Sequence, residues 1–183
     1  MKINFINLPH RIDRLRNVVE QISCQSITDY HIWPGIIHDT PVTGISMAFK
    51  QIVRDAKTKD LPMVCIAEDD IFFTAPCAWE FFLNNLPNDF DLYLGSYYSG
   101  WGQPGNTVDK FRGMTLIVVA KKFYDIFLNL PEDRNIDMAL DGLGDYKVCP
   151  FFVAIQVPGY SDNVKKMVDY SNRIPANIIF TGR

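Results

Sequence analysis

The sequence predicts an α/β domain with a mainly parallel central sheet flanked by helices. Two observations support this fold class. Apolar segments typical of strands alternate along the chain with segments whose apolar residues recur at helical spacing. Residues 63–67 are continuously apolar, which is the pattern of a central strand buried on both faces. The chain has 183 residues, enough for one domain with a substantial core, so we expect residues 1–183 to form a single domain.

The individual elements follow from apolar periodicity and from Gly and Pro positions. The predicted strands are 3–6, 31–33, 63–67, 91–95, 114–120 and 148–157. The predicted helices are 11–24, 44–57 with Thr43 as the N-cap, one that begins at Pro76, 124–130 and 136–140. Residues 96–113 are rich in Gly, Ser, Tyr and Trp and are predicted to form a long loop, with Gly105 among its glycines.

Composition and charge exclude several classes of function. The net charge is −3 and no block of Lys and Arg stands out, so binding to nucleic acid is not expected. No run of 18 apolar residues occurs, and no membrane span is expected. The N-terminus lacks the apolar segment of a signal peptide, and none of the four cysteines forms a C-x-x-C pair. A cytoplasmic location is therefore expected.

Three consecutive carboxylates, Glu68, Asp69 and Asp70, come directly after the buried strand 63–67. Like charges held this close repel one another, and a divalent cation removes that repulsion by using the same oxygens as ligands. Mn²⁺ and Mg²⁺ favour oxygen ligands, and either would in turn hold a diphosphate. The alternative is a solvated acidic loop, or a set of charges attracted to the N-terminus of the helix at Pro76.

The ordered motifs of this chain resemble those of glycosyltransferase family 25, the lipopolysaccharide-type transferases. Ile6-Asn7-Leu8 with Arg11 and Arg14 resembles the family's N-terminal signature, and Ala67-Glu68-Asp69-Asp70-Ile71 resembles its Glu-Asp-Asp motif. The other similar segments follow in the same order and are Gly44-Ile45-Ser46-Met47-Ala48-Phe49, residues 114–122, Ile136-Asp137, residues 149–156 and Ser161-Asp162-Asn163.

The resemblance implies a GT-A fold, a nucleoside-diphosphate sugar as the donor, and a divalent metal. It also implies inverting transfer to a hydroxyl of a glycan or other acceptor. A UDP-sugar is the first expectation for the donor. The chain departs from the family where Ala48-Phe49 replaces Ser-His, and its three histidines all lie within the first 38 residues. A C-terminal histidine ligand is thus unavailable, and Asp162 or water would complete the metal shell.

The resemblance assigns metal and catalytic roles to carboxylates. Asp70 is the expected direct metal ligand, and Glu68 would share the metal or face the ribose of the donor. Asp137 fills the position of the family's Val-Asp pair and is the expected general base, with Asp141 one helical turn later as the reserve. Both are alternatively ordinary exposed acids of a helix.

Other residues are assigned to the donor. Asn7 would hydrogen-bond the nucleotide base, or else simply form the turn before Leu8. Arg11 and Arg14 would neutralise the diphosphate, or else lie on the solvated face of their helix, which is the expectation preferred for Arg14. Asp69 would be a surface carboxylate or a hydrogen-bonding carboxylate near the donor. Tyr97 would stack on a sugar or pack beneath the loop.

Two other classes of function stay open on the sequence. A non-catalytic nucleotide-sugar or glycan binding module would keep the fold without turnover, as the missing histidines suggest. A metal-dependent phosphohydrolase would use Glu68 to Asp70, although such enzymes generally need further His or Asp ligands in spaced motifs, which this sequence lacks.

Overall fold

The structure, a computed structural model, describes residues 1–103 and 106–182. The α-helices are α1 (Ile12–Cys24), α2 (Pro41–Thr58), α3 (Ala78–Asn84), α4 (Tyr124–Leu128) and α5 (Ile136–Ala139). The strands are β1 (Ile3–Asn7), β2 (Tyr30–Pro34), β3 (Met63–Glu68), β4 (Ile71–Phe73), β5 (Leu92–Leu94), β6 (Ser99–Gln103), β7 (Thr107–Arg112), β8 (Leu116–Ala120), β9 (Tyr146–Val148), β10 (Ala154–Gln156), β11 (Gly159–Ser161) and β12 (Lys166–Val168). Short 3₁₀ turns lie at Lys121–Phe123, Ser171–Arg173 and Ala176–Ile178.

Eight strands form the central sheet in the order β2-β1-β3-β8-β5-β9-β7-β6. The strands β1, β2 and β3 are parallel, and β5 is parallel to β9. The strands β7 and β8 pair antiparallel with their neighbours and run against the other six. The predicted α/β class with a sheet whose strands mostly share one direction is confirmed.

Helices cover both faces of the sheet, and the side chains of β3 alternate between two apolar clusters. Val64 and Ile66 belong to the cluster under α2, α4 and α5. Cys65 and Ala67 belong to the opposite cluster, under α1 and α3. A strand buried on both faces is thus continuously apolar, as the sequence of residues 63–67 indicates. No helix in the described part of the chain is both long enough and apolar enough to cross a bilayer.

A short antiparallel ladder outside the central sheet holds the backbone beside the acidic residues Glu68, Asp69 and Asp70 in place. Strand β10 pairs with β4, which places Gln156 opposite Ile71. The backbone N–H of Val157 then donates a 2.7 Å hydrogen bond to the carbonyl of Asp70. The residues that follow β3 are therefore fixed by a segment from the C-terminal third of the chain.

The structure differs from the prediction most clearly at four places. Helix α2 begins at Pro41, because proline is favoured in the first turn of a helix, and Thr40 rather than Thr43 precedes it. Residues 96–113 contain the hairpin β6–β7 instead of a long loop; Gly105 lies outside the described residues. The predicted strand 148–157 is divided into the end of β9 and all of β10. Strands β11 and β12 form a second hairpin, where the sequence shows no clear pattern.

Candidate active site

A cavity of about 440 Å³ lies beyond the carboxyl ends of β1, β2 and β3. Its walls come from the loop after β2, the first half of α2, the residues after β3, the region between β7 and β8, the start of α5 and the hairpin β11–β12. In open α/β sheets, ligands bind at this end of the strands. The volume falls within the range of small-molecule sites, which runs from roughly 300 to 1,000 Å³.

Asp69 is 5% exposed and has its carboxylate occupied by two donors. Asn7 Nδ2 donates a 2.8 Å hydrogen bond to Asp69 Oδ2, and Arg14 Nη1 donates a 2.7 Å bond to Oδ1. Asn17 Nδ2 also donates to the backbone carbonyl of Asp69, at 3.0 Å. These contacts fix Asp69 as a hydrogen-bonding carboxylate at the base of the cavity wall.

Asp70 is buried, and only one of its two carboxylate oxygens has a partner among the described residues. Gln156 Nε2 donates a 2.7 Å hydrogen bond to Oδ2, and Arg14 Nη1 lies 3.1 Å from the same oxygen. Oδ1 is buried without any hydrogen-bond donor among the described residues. Burial raises the pKa of this carboxyl, and the charge of Arg14 opposes the shift. A buried, unpaired carboxylate oxygen is costly unless another group binds it.

Glu68 is partly buried at the end of β3 and lines the cavity. Burial raises its pKa well above the ordinary value, and the charges of Asp70 and Asp69 add to this effect. The charge of Asp137 raises the pKa of Glu68 further. The cavity therefore concentrates negative charge that would be relieved by a cation.

Asp137 lines the cavity from the first turn of α5. The N–H of Gly113 donates to its Oδ2 at 3.0 Å, and the N–H of Met138 donates to Oδ1 at 2.7 Å. Burial raises the pKa of Asp137 in spite of these two hydrogen bonds. A carboxylate that is oriented by the main chain and binds protons more strongly than usual has the properties of a general base.

Asp141 does not lie one turn further along the same helix, because α5 ends at Ala139. Its two oxygens accept hydrogen bonds of 2.9 Å from Arg112 Nη1 and Nη2. The hydrogen bond with Arg112 lowers the pKa of Asp141. Among the described residues, the cavity wall includes Arg112 but not Asp141. This carboxylate is thus placed as the partner of an arginine rather than as a base.

Asp162 lines the cavity at the end of the hairpin strand β11 and forms an ion pair with Arg11 Nη1. Arg11 also binds Asp13, at 2.8 Å, so its charge is shared between two carboxylates. His10 Nε2 lies 3.9 Å from Asp162. The structure therefore brings Asp162 to the rim of the predicted site and engages it with Arg11.

Three predicted donor-binding residues have other contacts. Arg11, paired with Asp13 and Asp162, is not among the described residues that line the cavity. Asn7 donates both to Asp69 and to the carbonyl of Arg11, at 2.8 and 3.2 Å, and is not among the described residues that line the cavity. Tyr97 also lies outside that lining, and its ring packs edge-on against Phe152 with the centroids 4.9 Å apart. The neighbouring Tyr98 lines the cavity instead.

Tyr98 is held by a second aromatic residue from the C-terminal segment. Its ring stacks on that of Tyr170 with the centroids 4.1 Å apart and an angle of 6° between the planes. The guanidinium carbon of Arg173 lies 5.7 Å from the centroid of Tyr98 and 5.1 Å from that of Tyr170. Burial raises the pKa of Tyr98 to about 12. The stack joins the β6–β7 region to the segment that follows β12.

Arg14 corrects the expectation that it lies on a solvated helix face. Its side chain is 18% exposed and forms ion pairs with both Asp69 and Asp70. The sequence places Arg14 on α1, more than 50 residues from either partner, and helical periodicity alone does not reveal such a contact. For the same reason the sequence assigns no contact to Gln156, which belongs to the family-like segment 149–156, and none to Tyr170. Their contacts depend on how the C-terminal segment folds back.

Comparison with solved structures identifies the architecture. Protein A197 from STIV superposes with a TM-score of 0.55 at 12% identity, over 91% of this chain and 92% of that chain. The inositol-1-phosphate CTP transferase from T. maritima gives a TM-score of 0.53 at 12% identity, over 97% of this chain and 74% of that chain. The protein has a GT-A-like fold.

More distant comparisons give no further assignment. A glycosyltransferase involved in the glycosylation of the major capsid of PBCV-1 gives a TM-score of 0.46 at 13% identity, over 69% of this chain and 62% of that chain, which is too low to compare sites. No protein-family model matches the sequence. No curated protein matches it either.

Two carboxylates of the cavity have the chemistry of ligands for a divalent cation. The unpaired Oδ1 of Asp70 and the repelled carboxyl of Glu68 are both oxygen donors. Over residues 1–103 and 106–182, no group of three or more His, Cys, Asp or Glu side chains is placed so that it could hold a metal ion. Mg²⁺ is commonly bound by one or two carboxylates together with substrate phosphates, so a larger protein cage is not required.

Proposed function

We propose that this protein is a metal-dependent glycosyltransferase that moves a sugar from a nucleoside-diphosphate sugar to a hydroxyl of a glycan or other acceptor, with inversion. A UDP-sugar is the first candidate for the donor. One observation carries the proposal: Glu68, Asp70 and Asp137 line a single cavity at the carboxyl ends of the strands of a GT-A-like fold. Their different surroundings suit them to different tasks.

At the donor end, Glu68 and Asp70 are the proposed ligands of Mn²⁺ or Mg²⁺. When bound, such a cation supplies Lewis-acid stabilisation of the departing diphosphate. Asp69 keeps Arg14 beside this pair, through the 2.7 Å hydrogen bond. Asp162 is engaged with Arg11, so we assign the remaining ligand positions to water and to diphosphate oxygens rather than to this carboxylate.

At the acceptor end, Asp137 is the proposed general base. Its carboxylate takes the proton of the acceptor hydroxyl while the hydroxyl oxygen forms a bond to the anomeric carbon of the sugar. The bond between that carbon and the diphosphate oxygen breaks at the same time, and the diphosphate leaves with the electron pair. Attack on the face opposite the leaving group inverts the configuration.

The shared fold supports a nucleotide substrate. The T. maritima enzyme is a CTP transferase, and its structure aligns with 97% of this chain. At 12% identity this similarity concerns the fold alone. The proposal that the nucleotide carries a sugar therefore rests on the acidic cluster and on the position of Asp137 in the cavity.

A turnover assay tests the proposal. The purified protein is incubated with UDP-, GDP- and CMP-sugars, with Mn²⁺ or with a chelator, and nucleotide release is measured with and without a panel of glycan acceptors. Release of UDP that requires Mn²⁺ and is lost in Asp70→Asn is the expected result. The matched control is Asp89→Asn, because Asp89 is an exposed partner of Lys122 outside the cavity lining. Metal-dependent binding without release would favour the non-catalytic module, and phosphate release from a phosphoester would favour the hydrolase.

A further inference from the structure

Arg14 connects three parts of the cavity wall through its guanidinium group. Nη1 lies 2.7 Å from Asp69 Oδ1 and 3.1 Å from Asp70 Oδ2. Nη2 donates a 3.0 Å hydrogen bond to the backbone carbonyl of Tyr160, in the strand β11. The residue also lines the cavity, so it is within reach of a ligand there.

The same guanidinium competes with any cation that binds the acidic cluster. It contacts Asp70 Oδ2, the oxygen next to the unpaired Oδ1. Its charge also opposes the mutual repulsion of the carboxyls around Glu68. A positive group already at the cluster reduces the attraction that remains for a second positive ion.

The effect on an anionic ligand has the opposite sign. A guanidinium has five N–H donors in a planar fork that matches phosphate oxygens. The contacts with Asp69, Asp70 and Tyr160 account for three of these donors. The guanidinium thus keeps donors without these partners, and because Arg14 lines the cavity, we assign them to a diphosphate, which a charge-assisted hydrogen bond would hold strongly.

We infer that Arg14 is both the resident counter-ion of the acidic cluster and a binding residue for the diphosphate. It weakens the affinity of the site for a divalent cation, and it strengthens the affinity for the nucleotide that follows. The inference rests on the proposed function, since it assumes that a cation and a diphosphate share this cavity. A residue that only stabilises the cavity wall would behave differently, because its loss would weaken the binding of both the cation and the nucleotide.

Calorimetric titration of Mn²⁺, and of UDP at saturating Mn²⁺, tests the inference with wild type, Arg14→Gln and Arg16→Gln. Arg16 is an exposed arginine on the same helix and serves as the matched control. For Arg14→Gln we expect Mn²⁺ to bind about threefold or more tighter, because a competing charge is removed. We expect UDP to bind about tenfold or more weaker, because a charge-assisted contact is lost. Arg16→Gln should match wild type for both ligands.

Arg14→Lys covers the case in which Arg14→Gln does not fold, as judged by circular dichroism. Lysine keeps the charge but loses the planar fork, so Mn²⁺ affinity should stay at the wild-type value while UDP affinity falls. Any other combination of changes overturns the inference. If wild type binds both ligands and the Arg14 variants lose both, the role of Arg14 is structural and the proposed function stands. If wild type binds neither ligand, the proposed function fails and the inference fails with it.

Discussion

The backbone N–H of Gly113 donates a 3.0 Å hydrogen bond to Oδ2 of Asp137. Gly113 follows β7 and has a φ of +97°, which disfavours any residue with a side chain. A Cβ at this position would lie 2.7 Å from the ring of Tyr98. One glycine thus allows the main chain to orient the proposed base and to pass beside an aromatic residue of the cavity wall.

Gly113→Ala is expected to lower the free energy of unfolding by about 2 kcal/mol, because it combines backbone strain with a steric clash. Urea unfolding at fixed pH measures the change. Gly142→Ala separates the two causes, since Gly142 has a φ of +74° but a Cβ there would meet no atom within 4 Å. We expect about 1 kcal/mol for that control from strain alone. Equal losses for the two variants would show that contact with Tyr98 has no effect.

Asp137→Asn is expected to lower kcat about 100-fold or more, because the amide cannot accept the proton of the acceptor hydroxyl. The KM for the donor should stay nearly constant, because the amide keeps the size of the carboxyl. Steady-state kinetics with a fixed acceptor measure both constants. Asp141→Asn is the comparison: this residue pairs with Arg112 and should change kcat far less. A larger kcat loss in Asp141→Asn than in Asp137→Asn would contradict the assignment of the base.

The sequence identifies the chemical part of this site better than its surroundings. Glu68, Asp69 and Asp70 are visible because charge abruptly follows a strand buried on both faces. The partners of these carboxylates are not visible: Arg14 reaches Asp69 across 55 positions, and Gln156 reaches Asp70 across 86. Tyr97 and Tyr98 differ by one position, and only the way the chain enters β6 decides which ring faces the cavity.

Glu68→Gln is expected to stabilise the protein in the absence of divalent cations near neutral pH. Folding raises the pKa of Glu68 above its ordinary 4.5. Between the unfolded and folded pKa values, the folded protein therefore binds more protons at this group than the unfolded chain does. The contribution of this group to stability therefore falls as pH rises from 4.5 through the raised pKa. The pKa values of Asp70 and Asp137 are also raised, so their contributions to stability likewise fall as pH rises.

Urea unfolding at a series of pH values checks this expectation. The curves of wild type and Glu68→Gln should converge toward acid pH and separate as pH rises, with the variant the more stable. Glu80→Gln, an identical change on the exposed face of α3, should follow wild type throughout. A Glu68→Gln variant that is less stable than wild type near neutral pH would show that the carboxylate is not repelled in the folded protein.

The fold was predictable where burial and periodicity agree. Strand β3 and helix α1 occupy nearly the predicted ranges, because a strand buried on both faces and an amphipathic helix each have their own apolar pattern. The pattern is weaker in the C-terminal third, where β9 to β12 have three residues each. Strands this short depend on tertiary pairing, such as that of β10 with β4, which no local period encodes.

Tyr170→Ala is expected to loosen the hairpin β11–β12 and the residues directly after it. The ring of Tyr170 stacks on Tyr98 and lies under Arg173, and loss of such aromatic and cation–π contacts costs about 1 kcal/mol. Hydrogen exchange of residues 159–170 should accelerate, whereas Tyr170→Phe should keep the stack and the slow exchange. Tyr160→Ala is the control, since its side chain is 46% exposed. Unchanged exchange in Tyr170→Ala would show that the stack does not hold this segment.

The most direct test of a metal-dependent nucleotide site is calorimetric titration of UDP into wild type and Asp70→Asn, each with Mn²⁺ and with a chelator. Asp70→Asn keeps the size of the side chain and an oxygen for Gln156, but removes the charge that a divalent cation requires. We predict that wild type binds UDP tightly with Mn²⁺ and about 100-fold more weakly without it, and that Asp70→Asn binds weakly in both conditions. Equal UDP affinity with and without Mn²⁺, or an Asp70→Asn variant that keeps the metal effect, would contradict the assignment of Asp70 and the proposed function that depends on it.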